Sequence, residues 1–213
     1  MSKGGHIRLN LISLGGFFLL ALLGYTGFHA YDTLTWFMEV LPVLIALPVM
    51  LFTYRRFPLT SLLYAVILFH SIVLIFGGMY TYARVPFGFE IAQWFDLTRN
   101  PYDKIGHFMQ GFAPALIARE ILIRGNYVNG RRMLNFIVIC IVLAISASYE
   151  LIEWGAALWM GQGADEFLGT QGDIWDTQSD MFFALIGSSV AISFFSRFHD
   201  KLITKVGDNE NSC

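Results

Sequence analysis

The sequence predicts an all-α integral membrane protein with about six transmembrane helices and both termini in the cytoplasm. Of its 213 residues, 55% are hydrophobic and only 14% are charged, whereas a soluble domain carries about 25% charge. The apolar residues form long runs that suit a hydrocarbon core of about 30 Å. We therefore expect a single multi-pass membrane domain over residues 1–213. The formal net charge of -2 argues against nucleic acid as a partner.

Six apolar runs predict the membrane-spanning helices. They lie near residues 11–29, 35–54, 59–79, 103–123, 134–158 and 176–197. The first run resembles a signal peptide, but Phe28 stands where a cleavage site needs a small residue, so we expect it to be retained. The second contains Pro42 and Pro48, which membrane helices tolerate where neighbours satisfy the freed carbonyl groups.

The distribution of lysine and arginine predicts the orientation. With six spans, 11 of the 14 Lys and Arg residues fall on the side that holds both termini, and only 3 fall on the other side. Positive residues are enriched in cytoplasmic loops, which places both termini in the cytoplasm. The fourth predicted helix then begins on the extracytoplasmic side, and the fifth ends there.

The start of the fourth helix carries an unusual group of polar residues inside an apolar run. Asp103, His107 and Gln110 are spaced i, i+4 and i+7, so a helix puts them on one face, with Lys104 beside them. Such residues at membrane depth are costly and usually face a protein interior or a water-filled cavity. We therefore expect other helices to pack against this face.

The next two helices carry acidic residues at the same predicted level. The fifth helix has Glu150 and Glu153, and the sixth is led by Asp173, Asp176 and Asp180. The predicted topology places all of them near the outer leaflet, and Glu39 of the second helix has a similar depth. Their coincidence at one depth predicts a polar, acid-rich site at the extracytoplasmic end of the last three helices.

One hypothesis for this site is metal-assisted hydrolysis or group transfer on a lipid-linked or amphipathic substrate. The candidate catalytic residues are His107, Glu150, Glu153 and Asp180. The candidate substrate-binding residues are Asp103, Lys104, Gln110, Asp173 and Asp176. The candidate ligands of a divalent metal ion are His107, Glu150, Asp176 and Asp180, because nitrogen and carboxylate donors suit such a cation. No His-Glu-x-x-His motif occurs, so a hard cation is favoured over zinc.

Two other hypotheses stay open. In the first, the residues bind a headgroup, relay protons or transport a solute without catalysis. In the second, they form a structural network, and the protein acts through a partner. For single residues, Asp176 fits a helix N-cap, and His70 fits a hydrogen-bonded packing residue. Glu120 with Arg124 fits an ordinary i, i+4 pair at the cytoplasmic end.

Residues 161–171 join the fifth and sixth predicted helices. This stretch contains Asp165 and Glu166, no cation, and glycines at 161, 163 and 169 that permit tight backbone paths. We expect it to be an ordered loop folded over the site. Membrane lipids are the expected partners, and the sequence does not indicate an oligomeric state.

Three motifs resemble the YjdF-like family of bacterial inner-membrane proteins. They read YDKIGHFMQGF at 102–112, YELIEW at 149–154 and FLGTQGDIWDTQSDM at 167–181. Because they occur in order across most of the chain, the resemblance is specific. It implies a multi-pass protein of the bacterial inner membrane and does not imply an activity.

The chain is also similar, more distantly, to VanZ-like membrane proteins, which are linked to glycopeptide resistance. Their pattern of Asp-Lys and then His on one helix is matched by Asp103, Lys104 and His107. Their later Asp, Asn and Gly pattern is matched by Asp180 and Gly187, but Ala184 stands where the Asn is expected. This departure removes an amide from the implied site.

Overall fold

The computed structural model describes residues 3–160 and 171–211, and each regular element within these ranges is a helix. The helices are α1 (Lys3–His29), α2 (Thr33–Thr53), α3 (Ser61–Met79), α4 (Pro86–Trp94), α5 (Tyr102–Arg124), α6 (Arg131–Met160), α7 (Asp176–Val190) and α8 (Ser196–Asn211). A π-helical turn, Ala191–Phe195, joins α7 to α8. The all-α fold class is confirmed. Most of the predicted loop at 161–171 lies outside the described residues.

Five stretches of helix in the described part are long and apolar enough to cross a membrane. They are Asn10–His29, Thr33–Thr53, Ser61–Met79, Arg131–Trp159 and Asp176–Gly207. The remaining predicted span, the fourth, near 103–123, also forms a helix, α5, but it is less apolar because charged residues lie near both of its ends. The orientation of the termini and the number of spans therefore stay predictions.

The outward faces of the first helices carry large apolar side chains, as expected for contact with lipid. Phe17 of α1 is 71% exposed, Phe28 is 90% exposed, and Phe52 of α2 is 79% exposed. A soluble monomer rarely exposes so much contiguous apolar surface. The polar residues, by contrast, are concentrated in the interior around α5.

The centre of the fold is the crossing of α5 and α7, the helix pair in most extensive contact among the described residues. A Cβ atom at Gly111 would overlap the carbonyl oxygen of Ala184, and one at Gly187 would overlap the carbonyl oxygen of Phe108. Small residues let two backbones approach closely within a membrane. This close approach explains why a residue as small as Ala184 occupies the crossing. It also holds the start of α7 beside the start of α5.

The short helix α4, which the apolar pattern did not predict, forms the link between α3 and α5. It begins at Pro86, a residue whose fixed φ suits the first position of a helix. The buried Asn100 then fastens this link, because its amide donates to the carbonyl of Val85 at 2.9 Å and accepts from the Tyr102 N–H at 3.0 Å. The Gln171 side chain pairs with the backbone N–H and carbonyl of Asn100, both at 3.0 Å. The segment before α7 is thereby tied to the segment before α5.

Candidate functional site

Ionisable residues from two helices and the segments before them meet at the N-terminal end of α5. We call this group the His107 cluster. It consists of Arg99, Asp103, Lys104, His107, Gln110, Asp173, Asp176 and Asp180. All the residues from 103 to 110 in this group follow the helical spacing that the sequence showed. The partners on α7 are brought close by the glycine crossing.

Lys104 is the main link between α5 and α7. Its Nζ atom lies 2.6 Å from Oδ1 of Asp180 and 2.9 Å from Oδ1 of Asp176, with the adjacent Asp103 carboxylate at 3.5 Å. Lys104 makes these contacts in a half-buried position. The contact with Lys104 engages Oδ1 of Asp180, and Oδ2 of the same carboxylate faces His107.

Arg99 neutralises the other side of the cluster, and the sequence interpretation did not include it. Its guanidinium contacts Oδ1 of Asp176 at 2.8 Å and Oδ2 of Asp173 at 3.2 Å. Asp176 is the first residue of α7 rather than its N-cap, which is Trp175. Arg99 lies in the loop before α5, so no helical spacing related it to the acids. Its position next to the polar motif was the available signal.

The buried imidazole of His107 sits between two carboxylates. Its Nε2 atom lies 3.3 Å from Oδ1 of Asp103 and 3.7 Å from Oδ2 of Asp180. Its Nδ1 atom lies 2.8 Å from Oε1 of Gln110. Because an amide oxygen only accepts, Nδ1 is the donor to Gln110. A neutral ring would then aim the lone pair of Nε2 at two negative oxygens, so a cation, either a proton or a metal ion, belongs between them.

The geometry of these three residues also fits a metal ion. One ligand atom each from Asp103, His107 and Asp180 can be chosen so that all lie within 4.8 Å of one another. Around a tetrahedral ion with bonds of about 2.0–2.1 Å, neighbouring ligand atoms are roughly 3.3–3.4 Å apart. The distances from Nε2 to the two carboxylates, 3.3 and 3.7 Å, are close to this spacing. The donor set of one imidazole and two carboxylates suits a divalent cation.

The net charge of the His107 cluster is consistent with a bound divalent ion. Two permanent cations, Arg99 and Lys104, face four aspartates. A formal surplus of two negative charges follows, which equals the charge of one divalent cation. The four aspartates are Asp103, Asp173, Asp176 and Asp180.

The two glutamates of α6 lie at different places around this cluster. Glu150 is buried and interacts electrostatically with His107, and its Oε1 atom has no hydrogen-bond partner among the described residues. Glu153 is half-buried and lines a cavity together with Glu39 of α2. Gln110, expected to bind substrate, instead contacts His107. The predicted metal ligands Glu150 and Asp176 are outside the set of three that lies within 4.8 Å, and Asp103 belongs to it.

Two cavities lie on opposite faces of α5. The larger, of about 780 Å³, has Arg99 and Lys104 on its wall among apolar residues that include Ile105, Phe108 and Phe183. The smaller, of about 130 Å³, is lined by Asp103 and His107 on the α5 side. Tyr82 also lines it, and burial, followed by the Glu39 carboxylate, raises the pKa of its hydroxyl well above the usual range. The Tyr82 hydroxyl therefore stays protonated at neutral pH.

A second buried network lies near the C-terminal end of α5, and we call it the Glu120 cluster. Its members are Thr60, Arg119, Glu120, Arg124, His199 and Asp200. The i, i+4 pair of Glu120 with Arg124 forms at 3.1 Å, but Glu120 is fully buried and binds two further residues. Thr60 donates to it from its backbone N–H at 3.0 Å and from Oγ1 at 2.8 Å, and His199 contacts it at 2.9 Å.

The apolar helices, with exposed aromatic residues on their outer faces and a buried polar centre, define an integral membrane protein. Comparison with known proteins agrees with this class. The chain belongs to a family described as "Predicted membrane protein (DUF2238)", whose model matches residues 11–201. It is 61% identical over 189 residues to a protein of Escherichia coli (strain K12) named "Inner membrane protein YjdF". The match covers 89% of this chain and 90% of that protein. No solved structure matches.

These comparisons confirm the predicted resemblance to YjdF-like proteins and the inner-membrane location. The more distant resemblance to VanZ-like proteins stays a prediction. Neither the family description nor the name of the relative assigns a reaction, so the function has to be argued from the site.

Proposed function

We propose that this protein is a membrane enzyme that uses a divalent cation to hydrolyse, or to transfer a group from, a lipid-linked or otherwise amphipathic substrate. The observation that carries the proposal is the set of Asp103, His107 and Asp180, whose ligand atoms lie within 4.8 Å of one another. A cluster of buried acidic residues supports a ligand site only if another buried polar atom nearby lacks a hydrogen-bond partner. The buried Oε1 atom of Glu150, without a hydrogen-bond partner among the described residues, meets that condition.

The larger cavity supplies the properties expected of a binding site for an amphipathic anion. Arg99 and Lys104 can pair with an anionic group such as a phosphate, and the apolar wall can hold part of a lipid chain. Lys104 connects this cavity to the proposed metal ligands, because the same Nζ atom contacts Asp180 at 2.6 Å. An anionic group bound at Lys104 would therefore lie beside the ligand set.

The proposal assigns three roles to residues in and beside the His107 cluster. Asp103, His107 and Asp180 hold the cation, which makes a bound water a better nucleophile when present. Gln110 is a positioning residue, because its contact with Nδ1 orients the ring so that Nε2 faces the cation. Glu150 is the candidate general base, because its free oxygen can accept a proton.

Metal analysis of the purified full-length protein tests this proposal. Wild-type protein exposed to Mg²⁺, Mn²⁺ or Zn²⁺ and then desalted should retain about one ion per chain, because the three ligands are preorganised. His107→Ala and Asp180→Asn should each lose most of it. Glu90→Gln is the matched control, since it removes an exposed carboxylate of α4 and should leave the metal content unchanged. Absence of retained metal in the wild type would contradict the proposal.

Non-enzymatic binding or transport of an anionic headgroup is the second candidate, and the arginine and lysine on the wall of the larger cavity favour it. In that case Lys104→Met should abolish co-purification of an anionic lipid, while His107→Ala should leave it unchanged. A purely structural network predicts a third pattern, in which His107→Ala lowers the amount of folded protein and changes nothing else. The enzyme proposal expects lipid binding to depend on Lys104 and metal binding to depend on His107.

A further inference from the structure

The smaller cavity, of about 130 Å³, is a second place where the structure leaves polar groups without partners. It lies on the face of α5 that carries Asp103, His107 and Gln110, and it is closed by residues of α2, α3 and α6. Glu39 of α2, His70 of α3 and Glu153 of α6 all reach it. The proposed hydrolase or transferase does not use these three residues, and the cavity therefore needs its own explanation.

Two atoms on the wall of this cavity are unsatisfied hydrogen-bonding groups. Thr81 is only 3% exposed, and its Oγ1 atom has no partner among the described residues. The Nε2 atom of His70 is likewise buried without a partner there. A buried polar atom without a hydrogen bond costs roughly 1–3 kcal/mol, so a ligand that supplies the missing partner would be stabilised there. His70 was expected to be a hydrogen-bonded packing residue, and the structure differs from this on the Nε2 side.

The cavity is also rich in negative charge. Glu39 is 7% exposed, and the hydroxyl of Tyr149 donates to its Oε2 atom at 3.2 Å. The carboxylates of Glu39 and Glu153 repel each other, and Asp103 adds a third acid on the wall. No lysine or arginine is among the described residues that line the cavity, and His107 is already engaged by Asp103 and Asp180. A buried carboxylate is stabilised either by a proton or by a positive partner, and a bound cation would supply the second to this group.

We infer that this cavity binds a small primary ammonium group, held by Glu39, Glu153, His70 and Thr81. The side chains of these four residues can all accept hydrogen bonds, and a primary ammonium supplies three donors together with a positive charge. A quaternary ammonium lacks the donors. A bare metal ion fits less well, because the set of ligands close enough to share an ion uses Asp180 rather than Glu39, His70 or Glu153.

The dimensions and the aromatic lining agree with this ligand. A volume of 130 Å³ equals about four water molecules at roughly 30 Å³ each, which accommodates an ammonium with a short alkyl arm. Tyr82 and Tyr149 place aromatic rings on the wall, and such rings attract cations. The ammonium group could belong to a free amine or to the headgroup of an amine-bearing lipid, and both share the chemistry that the cavity recognises.

Thermal unfolding of the full-length protein in detergent tests the inference, with ethylammonium chloride as the probe. The midpoint should rise by a few degrees in a saturable manner, because a ligand that binds only the folded state stabilises it. Tetramethylammonium and sodium chloride at the same concentration should produce no saturable rise. In a second arm, phosphatidylethanolamine is compared with phosphatidylcholine. Stabilisation by the first lipid alone assigns the ammonium to a lipid headgroup, and stabilisation by ethylammonium alone assigns it to a free amine.

Variants of cavity residues test whether the stabilisation by ethylammonium arises in this cavity. Glu39→Gln should lose the ethylammonium effect, and Glu153→Gln provides the same test on a half-buried residue if the first variant does not fold. Glu90→Gln should keep the effect in full. An equal rise with sodium or tetramethylammonium, no rise with any amine, or a rise that persists in the folded glutamate variants would overturn the inference. Neither glutamate is among the proposed metal ligands, so Glu153→Gln should still retain metal. Metal retention without an ethylammonium effect in the wild type would contradict the ammonium site alone, and not the proposed function.

Discussion

The two ends of α5 each bury a histidine, acids and basic side chains, but they differ in how completely the carboxylates are hydrogen-bonded. In the Glu120 cluster, both carboxylate oxygens of Glu120 have partners, from Thr60, Arg124 and His199. In the His107 cluster, Nε2 of His107 faces two carboxylates, and Oε1 of Glu150, which lies beside the cluster on α6, has no partner among the described residues. Nε of Arg119 also lacks a partner among the described residues, but Arg119 lines neither of the two cavities. A carboxylate whose oxygens are all hydrogen-bonded stabilises packing, whereas unsatisfied groups at a cavity indicate a ligand. We therefore assign a structural role to the Glu120 cluster and the proposed metal-dependent chemistry to the His107 cluster.

The two clusters are well separated along the helix. Asp103 and Glu120 are 17 residues apart in the sequence, which corresponds to about 25 Å along an α-helix. The predicted orientation places the His107 cluster near the outer leaflet and the Glu120 cluster near the cytoplasm. In the predicted topology, the comparison between the two ends is also a comparison between the two sides of the membrane.

Topology reporters should give the largest effect, because their signals are all-or-none. Fusions after Arg55 and Arg132 should report the cytoplasm, and a fusion near Gly163 should report the opposite side, as the 11 to 3 charge asymmetry predicts. Alkaline phosphatase and green fluorescent protein activities of the same fusions measure this. A cytoplasmic signal at Gly163 would move the His107 cluster to the inner leaflet.

Breaking the Glu120 cluster should have the next largest effect. Glu120→Ala removes the acceptor for Thr60, Arg124 and His199, and it leaves buried basic groups without their partner. Loss of one member of a buried ion pair costs about 3–5 kcal/mol. We expect a much lower yield of folded protein and a lower unfolding midpoint, measured on purified protein. An unchanged midpoint would show that the Glu120 cluster does not hold the fold together.

Glu150→Gln should have the smallest effect on stability. The Oε1 atom of Glu150 has no hydrogen-bond partner among the described residues, so removing its charge breaks few contacts and relieves repulsion from nearby acids. We expect a free energy of unfolding within about 1 kcal/mol of the wild-type value, or slightly above it. A loss as large as that of Glu120→Ala would mean that Glu150 is part of the structural frame.

A double variant relates Glu150 to His107. If both residues serve one site, His107→Ala should impair the phenotype of the protein, and adding Glu150→Gln should cost little more. The comparison is made in cells with matched amounts of each variant. Fully additive losses would indicate separate roles for the two residues.

The helices and the contact face of α5 were predictable from the sequence, and the contacts between distant residues were not. The apolar runs gave the long helices to within several residues, because length and composition determine a membrane span. The nine-residue α4 has no such signal. Helical spacing alone related Asp103 to His107. Spacing could not relate Arg99 to Asp176, which is 77 residues away, or Glu120 to His199, which is 79 residues away.

The same limit applies to the interpretation of single residues. Glu120 with Arg124 has the spacing of a surface pair, and only packing against Thr60 and α8 shows that Glu120 is fully buried. His70 was judged from its isolation in an apolar helix, and only the cavity shows that its Nε2 atom has no partner there. Whether a side chain is buried, and whether its polar atoms find hydrogen-bond partners, depends on the whole fold. A local sequence pattern therefore cannot predict either.

Metal-dependent thermal unfolding of variants from the two ends tests the central claim most directly. Saturating Mg²⁺, Mn²⁺ or Zn²⁺ at about 100 times its dissociation constant should stabilise the wild type by about 2.7 kcal/mol, or roughly 5–10 °C. Glu120→Gln should start from a lower midpoint and keep the full metal-dependent rise. His107→Ala should start near the wild-type midpoint and show no rise. A rise that persists in His107→Ala, or one that Glu120→Gln abolishes in protein that remains folded, would contradict the assignment of chemistry to one end of α5 and structure to the other.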